Sequence, residues 1–181
     1  LGVPAKDASN LLGRLVRRGW LARAHRGLYL VKSLEAASGI APAIEDPWIL
    51  AREMFSPCYI GGWSAAEHWG LTEQIFRPTF VTTTAGVRKT TCRILGTEFR
   101  LAKVSPRRLK GGTLVWRGPE KVMVSDRERT IADALTSPDW VGGVRHLADI
   151  LTTYRRSPEW NPARLLERMN EIGKGAAYKR L

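Results

Sequence analysis

The sequence predicts an α+β protein. A small basic module of one helix and a two-stranded hairpin, residues 1–34, precedes a mixed α/β domain over residues 45–181. Three observations lead there. A 3.6-residue apolar period near the start ends in glycine and passes directly into two short strand-like runs. A stretch rich in Ala, Gly and Pro, Ser33 to Ile44, then reads as a linker. In the remainder, strand-like runs come first and helical periods come last, an order that fits α+β architecture. With 181 residues, 44% of them hydrophobic and 25% charged, the chain is long enough for a real core and has a globular composition.

Between Pro4 and Gly19 the apolar positions are Ala8, Leu11, Leu12, Leu15 and Val16. They follow the i, i+3, i+4, i+7, i+8 spacing of a helix with one buried stripe. Pro4 suits the first helical position and Gly19 the residue just past the end. Strands are expected at Ala22–Ala24 and Leu28–Val31, joined by the turn His25-Arg26-Gly27, where glycine can take the positive φ of a tight hairpin. After the linker, Asp46 and Pro47 spell a helix cap and first position, with Ile49, Leu50 and Phe55 facing inward. Tyr59-Ile60 is extended. Ser64 and Glu67 have capping-box spacing, and Gly70 can close the helix they open. Strands follow at Thr79–Thr84, at Cys92–Leu95 with Phe99–Val104 around Gly96, and at Thr113–Trp116 with Lys121–Val124 around Gly118-Pro119. Ser125 and Glu128 repeat the capping-box spacing before a helix with the stripe Ile131, Ala134 and Leu135, which Pro138 stops. Val144–Arg155 is helical. Asn161-Pro162 caps a helix carrying Leu165, Leu166 and Met169, and another begins near Ala176.

The formal net charge of +12 is clustered. From Leu1 to Lys32 there are seven basic residues against the single acid Asp7; from Arg88 to Lys121 there are ten against Glu98 and Glu120. Such an excess points to a polyanionic partner. Cys58 and Cys92 lack the paired spacing of a zinc site or disulfide framework, so a reducing, cytoplasmic compartment is the default. No apolar run has the length to span a bilayer, and no signal peptide is visible.

A helix followed at once by a two-stranded wing is the second half of a winged helix-turn-helix. Arg14, Arg17 and Arg18 stand at i, i+3 and i+4, so their guanidinium groups share one face able to meet several phosphates. Lys6, Ser9 and Asn10 lie nearer the N-terminus, the end with which recognition helices read base edges. Arg23, His25 and Arg26 on the wing can reach the backbone or a minor groove. The competing description is a solvated helix face beside a hairpin; the adjoining wing favours the DNA-binding one. The motif's first helices would precede Leu1.

A second basic set comprises Arg88, Lys89, Arg93, Arg107, Arg108 and Lys110, with Arg100 and Lys103 among them. Strand alternation divides such residues between two faces. They could extend a DNA footprint, bind RNA, meet an acidic protein, or simply be solvated. Asp126, Glu128 and Asp133 raise the question of a metal-dependent nuclease. Each has a structural explanation: Glu128 as a capping residue, Asp126 at a helix N-terminus, and Asp133 paired with Arg129. His68 and His146 lack ligand spacing and read as packing residues. The Gly-Gly pairs at 61, 111 and 142 lack the residues of a phosphate loop. Trp63, Trp69, Trp116, Trp140 and Trp160 read as core or domain contacts. No catalytic residue, metal or cofactor is expected.

Three strings, LLGRLVRRGWLARAHRGLYLV, GGWSAAEHWGLTEQIFRPTFVTT and SDRERTIADALTSPDWVGGVRHLADIL, together resemble the AbiEi antitoxins, transcriptional regulators of bacterial type IV toxin–antitoxin and phage-defence systems. The resemblance runs along nearly the whole chain in the family's order. It implies an N-terminal winged helix-turn-helix that binds inverted repeats in its own operator DNA. It also implies a C-terminal domain that counters a nucleotidyltransferase toxin, AbiEii, without a stable complex. By position, the promoter-reading helix and wing correspond to Lys6 through Arg26. Ser64 to Gly70 and Arg129 to Asp133 fall in the family's signature segments, to which no catalytic role attaches. The chain departs from the pattern at its ends, where earlier helices and a longer last helix are expected. A regulator of the same class without a toxin is the alternative.

Overall fold

The computed structural model describes residues 4–25, 27–31, 46–173 and 175–181. By internal contacts the chain divides into two compact units: residues 1–45 with 93–97, and residues 46–92 with 98–181. The architecture is mixed helix and sheet, as the order of periods predicts.

In the first unit, α1 (Ala5–Arg17) leads into the antiparallel strands β1 (Leu21–His25) and β2 (Leu28–Val31). Their register pairs Leu21 with Val31, Ala22 with Leu30 and Arg23 with Tyr29, and shifts before His25 meets Leu28. The expected buried stripe of α1 is not sealed. None of its residues is buried; Ala8, Leu12, Leu15 and Val16 are half-buried, and Leu11 is 47% exposed. Ala22 is the one buried residue among those described in this unit, so the hairpin alone has too little apolar surface to cover the helix.

A six-stranded sheet runs in the order β5-β6-β4-β3-β8-β7, and all of it except residues 93–97 falls in the second unit. Its strands are β3 (Cys58–Ile60), β4 (Thr79–Thr83), β5 (Thr91–Ile94), β6 (Thr97–Lys103), β7 (Gly112–Arg117) and β8 (Glu120–Ser125). β3 runs antiparallel to β4 and parallel to β8, β4 runs parallel to β6, and β7–β8 is the expected hairpin. α2 (Pro47–Phe55) packs on β3 and β8, with Asp46 Oδ1 accepting from the Trp48 N–H at 2.8 Å as its cap. α3 (Gly62–His68) precedes β4; α4 (Arg127–Thr136), α5 (Val144–Arg156), α6 (Pro162–Ile172) and α7 (Gly175–Tyr178) follow the sheet. The helical core gathers Leu71, Ile131, Leu135, Leu147, Ile150, Tyr154, Leu165 and Met169 around α4. The helix expected near Ala176 is this single turn α7.

Both capping boxes are corrected. The residue before α3 is Gly61, which has no side-chain cap; Ser64 lies inside the helix, where its Oγ accepts from the Phe80 N–H at 2.9 Å. Glycines 61 and 62 let the chain turn from β3 into helix before Ser64 is reached. At α4 the cap is Asp126, whose Oδ1 accepts from the Arg129 N–H at 2.7 Å; Ser125 still belongs to β8 and meets the Thr130 hydroxyl at 2.7 Å. A carboxylate one residue later is the stronger acceptor for a helix N-terminus. Trp116, read as a core or domain-contact residue, is 65% exposed on edge strand β7 and so is not core, because alternation turns it away from the helix-covered face.

Gly62 occupies the position with least freedom. It has φ +50°, and a Cβ there would stand 2.4 Å from the Trp140 carbonyl oxygen and 2.7 Å from the Phe80 ring. Gly62→Ala therefore combines backbone strain with overpacking and is expected to cost about 3 kcal/mol or more in urea unfolding. A loss below about 1 kcal/mol would contradict this close approach.

Candidate nucleic-acid interface

The basic helix is fixed at its end by backbone hydrogen bonds. Arg18 caps α1 and Gly19, at φ +78°, reverses the chain. The Gly19 N–H donates to Val16 O and the Trp20 N–H to Leu15 O, each at 3.0 Å, the two bonds of a Schellman motif. The chain thereby leaves the helix directly into β1. Asp7 in the first turn and Arg14 and Arg17 in the last complement the helix dipole.

On this scaffold Lys6, Ser9, Asn10, Arg14, Arg17 and Arg18 are all exposed, opposite the apolar side of α1. Arg23 is exposed on β1, and His25 ends that strand. Arg26 lies outside the described residues. Trp20, 64% exposed, joins the helix to the hairpin. Six polar or cationic side chains on one helix face, followed by a hairpin, offer hydrogen-bond donors and positive charge but no reactive group.

The second basic set is split. Arg88 and Lys89 precede β5, Arg93 lies on β5 in the first unit, Arg100 and Lys103 lie on β6, and Arg107 and Lys110 flank the end of a 3-10 turn; all are exposed. Arg108 turns inward. Its Nη2 is 3.5 Å from Asp133 Oδ1, and its guanidinium stands 5.9 Å from the Trp140 ring centre.

The three acids of α4 are occupied by cations and hydroxyls. Asp126 Oδ2 accepts from Arg168 Nη2 at 2.8 Å and from Arg164 Nη2 at 3.2 Å. Glu128 Oε1 accepts from the Tyr154 hydroxyl at 2.7 Å, and its Oε2 lies 3.5 Å from Arg164 Nε. Asp133 Oδ2 accepts from the Tyr59 hydroxyl at 2.6 Å and from Arg129 Nε at 3.1 Å, the pairing expected from sequence. Burial pushes the Asp133 carboxyl above the usual carboxylate range, against the pull of Arg129. Burial likewise raises the Tyr59 phenol well above its ordinary value, keeping it a neutral donor. Among the described residues no group of three or more His, Cys, Asp and Glu side chains is placed to hold a metal ion. This geometry makes the acids a structural lock on α4.

The histidines pack. His146 is buried, with Nε2 2.8 Å from the Thr72 hydroxyl and its ring stacked on Phe76 at 5.5 Å. His68 lies half-buried between Trp48 and Trp69, and burial with nearby Arg117 and Arg127 holds it below the usual imidazole range. Among the described residues no helix is long and apolar enough to cross a membrane.

Residues 1–32 match the family model described as "Transcriptional regulator, AbiEi antitoxin". The matched stretch contains α1, β1 and β2. No curated protein matches the chain.

Arg129→Met, which leaves buried Asp133 with only Arg108, 3.5 Å away, as a cation, is expected to cost about 3 kcal/mol in guanidinium unfolding. Adding Mg²⁺ or Mn²⁺ to the unaltered protein should leave its thermal midpoint unchanged. A rise of several degrees would instead show that the α4 carboxylates take a metal.

Proposed function

We propose that the protein is a DNA-binding transcriptional autoregulator and the antitoxin of a bacterial type IV toxin–antitoxin system. The observation that carries this reading is the exposed Lys6–Arg18 face of α1, joined to a two-stranded wing, within the stretch that matches the AbiEi model. In this reading residues 1–34 are the C-terminal part of a winged helix-turn-helix module and residues 45–181 the antitoxin domain, acting in the cytoplasm by binding alone. Arg14, Arg17 and Arg18 hold phosphates across a groove; Lys6, Ser9 and Asn10 face base edges in inverted repeats of the operator. Arg23, His25 and Arg26 steady the wing against the backbone. The functional partner is a nucleotidyltransferase toxin of the AbiEii kind.

A second reading is favoured by the extent of the match, which lies wholly within the DNA-reading stretch. It is a winged-helix regulator with no toxin. Co-expression separates the two: rescue of growth from a nucleotidyltransferase encoded beside this protein supports the antitoxin, and failure to rescue leaves the stand-alone regulator.

The DNA-binding assignment has its own test. Changing Arg14, Arg17 and Arg18 together to Ala removes up to three phosphate contacts. Affinity for a duplex from the protein's own promoter should fall by about a hundredfold or more at moderate salt. The slope of log K against log salt should become shallower by about 2 to 3 units. Unaltered affinity and slope would remove α1 from the interface.

A further inference from the structure

The second unit carries an aromatic and cationic track that the reading above does not use. Arg117 stands 4.4 Å over the ring of Trp48, Trp48 meets His68 edge-on at 5.3 Å, His68 meets Trp69 at 4.5 Å, and Arg127 stands 4.8 Å over Trp69. These five side chains come from α2, from the end of α3 and the residue after it, from β7 and from α4. Every one of them is half-exposed. A cleft of about 310 Å³ opens beside Trp48, His68 and Arg117, with Glu67, Ser64 and Thr79 on its walls. Another of about 430 Å³ opens beside Trp69 and Arg127, with Thr113, Asn161 and Arg164.

We propose that this track, Arg117–Trp48–His68–Trp69–Arg127 with its two flanking clefts, binds single-stranded nucleic acid. Half-exposed rings beside open clefts can take the faces of unpaired bases, and guanidinium planes can stack bases while their outer N–H groups meet phosphates. A duplex hides its base faces and cannot use such rings. The track is also preorganised. The Trp69 indole N–H donates to the Ser125 carbonyl at 2.7 Å, and Arg117 Nε donates at 2.6 Å to Asp46, the carboxylate that also caps α2. The charge balance leaves a cation available. Asp46 is taken by Arg117, and Asp126 and Glu128 are taken by Arg164, Arg168 and Tyr154, while Arg127 makes no ion pair among the described residues. Glu67 and Glu159, on the rims of the two clefts, oppose a phosphate. Trp116 makes a natural control, since alternation along β7 sends it to the sheet face opposite Arg117.

The test is a fluorescence-anisotropy titration with a labelled strand of about twelve nucleotides, as RNA, as DNA of the same sequence, and as blunt duplex. One of the two single strands should bind and quench tryptophan emission, and the tighter of them identifies the polymer. Trp48→Leu and Arg127→Gln should each weaken that binding about tenfold. Glu67→Gln should tighten it, and Trp116→Ala and the Arg14, Arg17, Arg18 triple-Ala protein should leave it unchanged. Arg127, half-exposed at the first position of α4, provides a variant that keeps the fold if Trp48→Leu does not, with circular dichroism as the check. The proposal is overturned by absence of single-strand binding, or by full binding in a folded Arg127→Gln protein. It is equally overturned if the α1 variant abolishes the binding, which would return it to the duplex-reading helix.

Discussion

The second unit is arranged around a charge that water does not reach. The Arg129 side chain is 0% exposed and must be neutralised from within. Asp133, one helical turn on, supplies the nearest carboxylate, and the Arg108 carbonyl accepts from Arg129 Nη2. Glu171 stands 3.9 Å from Nη1. Each partner comes with its element, so one guanidinium fixes α4 against the 3-10 turn Pro106–Arg108 and against α6. Asp133 extends the constraint to β3 through the Tyr59 hydroxyl, and Asp126 extends it to α6 again through Arg164 and Arg168. The backbone makes room for it: a Cβ at Gly111 would stand 3.1 Å from Arg129 Cβ and from Arg168 Nε. Such a network adds little net stability, and among the described residues it leaves Arg129 Nη1, Asp133 Oδ1 and Arg108 Nε and Nη2 buried without hydrogen-bond partners, but it gives α4 one position in which opposite charges face each other.

That placement has consequences at the surface. Arg127 and Asp126 are adjacent, so the bonds that seat the N-terminus of α4 also hold the Arg127 guanidinium over Trp69. Trp69 is tied in turn to the last residue of β8, immediately before the cap. The described residues of the first unit are held differently. Its order comes from a capped helix end, a Schellman turn and a two-stranded register, all local devices, while its helix keeps an apolar side only half covered. Buried ion pairing thus orders the second unit, and backbone geometry the described part of the first.

The difference explains what could be read in the sequence. Period and punctuation were enough for α1, its glycine stop and the β1–β2 hairpin, because each depends on residues a few positions apart. The same holds for the Asp46-Pro47 and Asn161-Pro162 starts and for the β7–β8 hairpin. Arg129–Asp133 was legible as an i, i+4 pair. Its further partners Tyr59 and Arg108 were not, nor was the pairing of Asp126 with Arg168, since those meetings depend on sheet order and on how α6 docks. The capping boxes failed for a smaller reason. The spacing rule was satisfied in both, but a glycine turn started α3 early and a neighbouring carboxylate outcompeted Ser125. The tryptophans were the hardest case. Trp48, His68 and Trp69 come together only in the folded chain, where the end of α3 meets α2 through these rings, and no helical spacing signals that Trp116 will face outward.

The two surfaces differ in which part of a nucleic acid they can recognise. The α1 face offers cations and small polar groups on a convex helix, which suits phosphates and groove edges of a duplex and responds steeply to salt. The track on the second unit offers planes more than charge: three aromatic rings, with the arginine at one end already shared with Asp46. Single-strand binding is itself salt-dependent, and here the phosphate contacts would come from Arg127 and from an Arg117 already paired with Asp46. In the proposed reading the two surfaces share no side chain, so duplex binding and single-strand binding would not compete for the same residues.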